Sequence, residues 1–295
     1  MEEHRKHVPV DQAQSRRHFD RAARSYAEFA HLEAEVSARM RDRLDYLRLE
    51  PARILDAGCG PGRDAQMLRK RYPGSEVIGL DFSLAMLRAA RAQDGWLSSL
   101  LGRRGMRAVC ADLAALPFAE RAFDLIWSNL ALHWMREPAL GLVEFRRVLR
   151  PGGLVMFTLL GPDTLLELRE AAPGRTHVFP DMHDVGDWLV QAGFSAPVMD
   201  MEKITVSYPD PETLLRELRA TGQTAALAAG GRGLGGRGHL SALKERLGTR
   251  ANAGRISVTA EIVYGHAWTA EKPRRGRATD GVATIDLSAL RRRGP

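Results

Sequence analysis

Apolar and polar positions follow two rhythms along this chain of 295 residues. Over 19–49, apolar residues such as Tyr26, Phe29, Val36, Met40 and Leu44 recur at near-helical spacing with arginines between them, which predicts one or two amphipathic helices. Short apolar runs then alternate with helical stretches. Strands are expected at Arg53–Asp56, Glu76–Leu80, Arg107–Cys110, Phe123–Ser128 and Leu154–Leu159, and helices at Arg63–Arg71, Ser83–Arg91 and Pro138–Leu149. Such alternation builds a parallel sheet with helices on both faces. Asp94–Gly105 lengthens one crossover, and Arg150–Gly153 (RPGG) reads as the turn before the fifth strand.

Beyond Gly161 the rhythm changes. Helices are expected at Asp163–Ala171, His183–Ala192, Pro211–Thr221 and Leu240–Leu247, with strands at Val198–Tyr208 and Ile256–Tyr264. A loop over Gly230–Gly238 alternates glycine with Arg232, Leu234 and Arg237. The first 18 residues are polar and read as a flexible start, 19–268 as one domain, and 269–295 as a basic tail without a packed core.

The punctuation that matters most is ILDAGCGPG, Ile54–Gly62, where an apolar run meets an acid and three glycines. Gly58, Gly60 and Gly62 permit backbone angles and a ligand approach that side chains would block. A strand that turns through glycines into a helix offers free amides and the positive end of the helix dipole to a ligand. A dinucleotide fingerprint places a small residue at its third glycine position, where it packs helix on strand. Here that position is Arg63, and Asp56 at the strand end can accept from a cationic ammonium group. Both features fit S-adenosylmethionine better than a nicotinamide dinucleotide.

Acids recur at the expected C-terminal edge of the sheet, where ligands bind in open parallel folds. Asp81 ends the second strand (VIGLDFS), where a carboxylate can accept both ribose hydroxyls and can also cap the helix that follows. Asp112 and Leu113 (CADLAALPF) follow the third strand and can read an adenine edge. Asn129, Leu130 and His133 (SNLALHW) follow the fourth and face the glycine turn.

Composition narrows the picture a little further. A 44% hydrophobic content suits a sizeable core, and a net charge of +7 suits an acidic partner. Five of the 43 basic residues are lysines, so the excess charge is carried by arginine. Two cysteines cannot make a disulfide framework, no apolar run is long enough for a membrane span, and a cytoplasmic location is expected. Aromatics at 6% do not supply the stacking platforms of a single-strand nucleic-acid surface. Neither a nucleic-acid partner, a membrane nor a bound metal is expected.

Arg53–Leu160 resembles the class I S-adenosylmethionine-dependent methyltransferases, on ILDAGCGPG, GLDFS, ADLAALPF, FDLIWSNLALHW and LRPGG in that order. The flanks FDRAARSYAEFAHL, LLGPDTLLELREA, FPDMHDVGDWLVQAGFSAPVMDMEKITVSY and EIVYGHAW extend the resemblance to the malonyl-[acyl-carrier protein] O-methyltransferase family of biotin synthesis, up to Trp268. It implies a Rossmann-like sheet of seven strands, parallel but for the last, under a helical lid at 19–49, with a cofactor core over 50–160 and a substrate side over 161–268. Implied cofactor contacts are Asp56, Gly58, Gly60, Gly62, Asp81, Phe82, Met86, Asp112, Leu113, Asn129 and Leu130. Tyr26 is the expected lid residue over the methyl group. Phe179 and His183 are expected on the substrate side, with Arg232 and Arg237 toward an acidic carrier. Arg146, Arg147 and Arg150 are further candidates for docking that carrier.

The implied reaction esterifies the free carboxyl of a malonyl thioester, on acyl carrier protein or on coenzyme A. A carboxylate is ionised near pH 7, so no catalytic base is demanded. Two other readings share the cofactor site: an assembly factor of respiratory complex I that hydroxylates an arginine, and a methyltransferase of quinones or other small metabolites.

Overall fold

The computed structural model describes residues 10–93, 106–174, 176–224 and 237–270. Seven strands form one sheet: β1 (Arg53–Ala57), β2 (Glu76–Asp81), β3 (Arg107–Cys110), β4 (Phe123–Ser128), β5 (Leu149–Leu160), β6 (Ser195–Tyr208) and β7 (Ile256–Trp268). Their order is β3-β2-β1-β4-β5-β7-β6. The first five strands are mutually parallel, and β7 runs antiparallel to both β5 and β6. This is the lone reversed strand that the resemblance implies.

Period-two apolar patterning sends side chains into a core on each face. On one face Ile54, Leu125 and Trp127 pack under helices α3 (His31–Arg43), α4 (Arg63–Arg71) and α5 (Leu84–Gln93). On the other, Leu55, Ile126 and Phe157 pack under α6 (Pro138–Val148) and α8 (Met182–Gln191). A smaller core joins the ends of β6 and β7 to α7 (Leu166–Ala171), α9 (Pro211–Ala220) and α10 (Arg237–Gly248).

Gly265 of β7 stands opposite Phe157 of β5, and a Cβ there would collide with the phenyl ring. Gly265→Ala is therefore expected to cost about 1–3 kcal/mol, the usual penalty of overpacking. It should lower the urea midpoint at unchanged slope, and an unaltered midpoint would show that the ring can yield.

Four expectations change. The N-terminal helical region begins earlier than 19: Asp11 accepts from the Gln14 amide at 3.0 Å and starts α1 (Gln12–Ala22). Residues 12–18 are thus helical, because a capped amphipathic turn has an aromatic surface to dock on. The one or two helices expected over 19–49 are divided instead into α1, α2 (Tyr26–Phe29) and α3, with Ala30 outside helical angles.

The RPGG segment is a bulge inside β5, since Leu149 pairs with Phe123 while Leu154 pairs with Leu125. Thr269 closes that bulge and belongs to the packed domain rather than the tail. It is 2% exposed, its hydroxyl accepts from the Gly153 amide at 2.9 Å, and its carbonyl accepts from Gly152 at 3.1 Å. Residues 94–105 and 271–295 lie outside the described part, as does nearly all of the glycine loop. No described helix is long and apolar enough to cross a membrane.

Candidate active site

The glycine turn is tied to the neighbouring strand before any ligand is considered. The amides of Gly58 and Cys59 donate to the Leu80 carbonyl at 2.7 and 2.9 Å, and the Gly60 amide donates to Asp81 Oδ2 at 2.9 Å. Gly58, with φ of +83°, presses against Ala131, while Gly60, with φ of +50°, leaves open the space beneath the Tyr26 ring. Gly62 does something else. It caps α4 in a left-handed conformation and a Cβ there would meet Ala90 and Met106, so its role is packing rather than ligand approach.

Asp81 is almost fully buried and faces the cavity that this turn borders. Burial raises its carboxyl to about 6, opposed by the amides of Ser83 and Gly60. Its Oδ1 accepts from Ser83 N at 2.8 Å and the Ser83 hydroxyl caps Met86, so the acid orients both the glycine turn and the start of α5. Phe82, Met86, Asp112 and Leu113 line the same end of the cavity.

Asn129 and Leu130 line the cavity from beyond β4, which the strand order sets across β1 from β2. Leu130 has φ of +51°, a costly angle for a branched residue. Its amide donates to Thr158 Oγ1 at 2.9 Å, and that hydroxyl donates to Asn129 Oδ1 at 2.8 Å.

Asp56 is displaced from its expected role. It is buried away from the cavity lining, and its Oδ2 has no hydrogen-bond partner among the described residues. Burial first, then the charges of Asp64 and Asp81, push its carboxyl well above the usual range. The Ala65 amide of α4 opposes that shift, so the carboxyl lies against the start of α4 rather than on the cavity wall.

The N-terminal helices form the cover. Tyr26 lies over Gly60, and burial holds its hydroxyl in the protonated form, reinforced by the charges of Glu33 and Asp81. Arg63, the residue that breaks the dinucleotide fingerprint, donates to the carbonyls of Ala30 and Ala27 at 3.0 and 3.3 Å, and so pins the break between α2 and α3. Gln12 Nε2 donates to Asp112 Oδ2 at 2.7 Å, and Phe19 stacks edge-on against Phe82 and Trp134.

Gln12, Phe19, Glu33, Trp134 and Gln223 all line the cavity yet escape a reading of the sequence. Asp11 was the available signal for Gln12, as a cap residue ahead of an amphipathic turn. Glu33 stands seven residues after Tyr26, but the break at Ala30 between them removes the helical spacing as a signal. Nothing local marks Gln223.

Residues 55–157 match a family described as a methyltransferase domain. The chain is 48% identical over 287 residues to a malonyl-[acyl-carrier protein] O-methyltransferase of Laribacter hongkongensis, covering 94% of this chain and 96% of that one. It is 44% identical to a protein of the same name from Gallionella capsiferriformans, covering 95% and 97%. The chain belongs to the malonyl-[acyl-carrier protein] O-methyltransferase family. The fold also superposes on the YcgJ protein of Bacillus subtilis with a TM-score of 0.57 at 16% identity, over 79% of this chain and 98% of that one. The architecture is the Rossmann-like methyltransferase fold.

This family member carries a second cavity of about 380 Å³ beside the first, within the size range of small-molecule sites. Leu165, Leu168, Leu215, Leu218 and Phe179 wall it, and Thr176, His177, Arg219 and Thr224 add polar groups. Trp134 and Gln223 line both cavities, so the two are adjacent there. The Phe179 ring stands edge-on to His133 at 5.3 Å.

His183 does not line either cavity. Asp181 caps α8, taking the His183 amide at 2.8 Å and its ring nitrogen at 2.7 Å, and leaves the imidazole 85% exposed. Arg232 lies outside the described residues. Arg237 is the first residue of α10, and its side chain is likewise outside them.

Arg146, Arg147 and Arg150 stand at the opposite sheet edge and are engaged within the fold. Arg147 is held by Glu144 and by the carbonyls of Leu116 and Phe118, and Arg150 by Asp124 at 2.9 Å. Arg146 donates to Gly193 O at 3.2 Å. Among the described residues no group of three or more His, Cys, Asp or Glu is placed to hold a metal ion.

Proposed function

We propose that this chain methylates the free carboxylate of a malonyl thioester carried on acyl carrier protein, with S-adenosylmethionine as donor, forming the methyl ester that opens pimeloyl synthesis for biotin. The observation that carries the proposal is colinearity: the likeness to relatives of that name spans both cavities and the cover above them, over 94% of the chain.

The lining of the first cavity suits the donor. Gly60 leaves room where a side chain would intrude, and the Asp81 carboxylate faces the same space beside the apolar Leu113 and Met86. S-adenosylmethionine, when bound, supplies a methyl group already activated by a sulfonium. Asp81 would accept the ribose hydroxyls, Asp112 and Leu113 would border the adenine, and Asn129 and Leu130 the methionyl end. The thioester would occupy the second cavity and bring its carboxylate to the junction at Trp134 and Gln223.

As the acceptor oxygen forms its bond to the methyl carbon, the carbon–sulfur bond breaks and its electrons pass to sulfur. No proton moves, so the chain has to align and dry the reacting atoms rather than supply a base. Proximity of this kind is worth at most about 7–11 kcal/mol. Arg219 is the one arginine among the described residues lining the second cavity, and its fork suits a carboxylate.

Transfer of labelled methyl from S-adenosylmethionine tests the reading, with malonyl carrier protein, malonyl coenzyme A and a small quinol as parallel acceptors. Label is expected on the carrier-bound malonyl group, released by mild base as an ester should be. Cofactor binding with no labelled malonyl thioester would favour the assembly-factor reading, and label on the quinol alone would favour a small-metabolite enzyme.

A further inference from the structure

Glu33 is a buried acid that no role discussed so far uses. It sits on α3, 7% exposed, and lines the first cavity as well as a smaller one that it shares with Tyr208, Glu217 and Gln223. Its neighbours place it at one particular end. Asn129 Nδ2 donates to the Glu33 carbonyl at 3.0 Å, and Gln223 Nε2 donates to Glu33 Oε1. Asn129 follows β4, which lies across β1 from the strand that ends at Asp81, so Glu33 lies toward the amino-acid part of any nucleoside whose ribose lies against Asp81.

A buried carboxylate with a neutral amide as partner is expensive, because the amide returns only part of the lost hydration. A cation seated beside it would supply the missing compensation. Asp56, the acid expected to meet the donor's ammonium group, is buried and does not line the cavity. We infer that Glu33 is the residue that binds the α-ammonium of the methyl donor, with Gln223 orienting its carboxylate from the substrate side. The inference rests on the proposed donor.

The electrostatics agree. In the ligand-free protein burial, with a smaller push from the charge of Glu217 on α9, raises the Glu33 carboxyl to about 7 against the opposing effects of its own backbone amide and of Arg63 on α4. The hydroxyls of Tyr26 and Tyr208 also feel its charge. A bound ammonium lowers the pKa, so a proton leaves Glu33 as the donor enters.

Truncated ligands isolate the contact. S-adenosylhomocysteine keeps the ammonium and methylthioadenosine lacks it, so calorimetric affinities of both are compared in wild type and Glu33→Gln. The variant is expected to lose roughly 10- to 100-fold for S-adenosylhomocysteine, the range for a hydrogen bond to a charged group. It should bind methylthioadenosine like wild type, which also reports that it is folded. Should Glu33→Gln fail to fold, Glu33→Asp carries the test, with a smaller loss confined to S-adenosylhomocysteine.

Equal losses for the two ligands, or no loss for either, would overturn the inference while leaving the donor site standing. Failure of wild type to bind either ligand would overturn the proposed donor, and this inference with it.

Discussion

Asp81→Ala is expected to bind S-adenosylmethionine about 10²- to 10⁴-fold more weakly, since two hydrogen bonds to a charged acceptor are each worth roughly 1.5–3 kcal/mol. The same side chain also holds the Gly60 and Ser83 amides, so the variant should loosen the glycine turn and the start of α5 together. Asp81→Asn separates these roles, because its carbonyl oxygen can keep one amide while its charge is gone. Calorimetry reads the affinity and circular dichroism the fold. Unchanged affinity in a folded Asp81→Ala protein would end the ribose assignment.

The sign of the pH effect follows from the same residue. The ionised acid accepts hydroxyls, and in the free protein it takes a proton as pH falls through about 6. Affinity should therefore drop below that value, by up to about tenfold per pH unit. The step near 6 should vanish in Asp81→Asn.

The second large effect is expected from Gly58→Ala. Gly58 has φ of +83°, and a Cβ there would overlap the Cβ of Ala131, which is fixed to the backbone and cannot swing aside. Backbone strain of about 1–3 kcal/mol adds to a forced separation of the β1 and β4 loops. The turn should shift, and a displacement near 1 Å at a reacting site costs on the order of 100-fold. Donor affinity and methyl transfer should fall together while the melting temperature drops by several degrees. A variant with wild-type turnover would show that the turn tolerates the overlap.

Much of this arrangement was legible from local pattern. β1, the glycine turn and α4 were legible because buried apolar runs, residues that permit positive φ and helical periodicity are each written within a few positions. Asp81 was legible as an acid at the end of a buried strand. Other features depend on partners far away in sequence. His183 was misjudged because Asp181 turns its ring outward, and Arg147 because its acceptors are carbonyls near residue 117. Gln12 and Gln223 became visible only with the tertiary contacts to Asp112 and Glu33. Asp56 looked like a ligand because the sequence shows that it ends a strand, not which side of the turn it occupies.

The broken cover of α1, α2 and α3 is joined to the far end of the chain by Ser25 on the Ala220 carbonyl at 2.8 Å, His18 on Thr224 at 2.8 Å, and Glu33 on Gln223. A ribosome releases that cover 195 residues before its anchoring surface at Ala220. The opening segment must therefore wait, with Phe19 and Tyr26 lacking their final seat, until α9 has emerged. Contacts of such long span are formed slowly and leave apolar surface open to premature association. Slowed translation before Ala220 should lengthen that exposure and make the growing polypeptide depend more on chaperones.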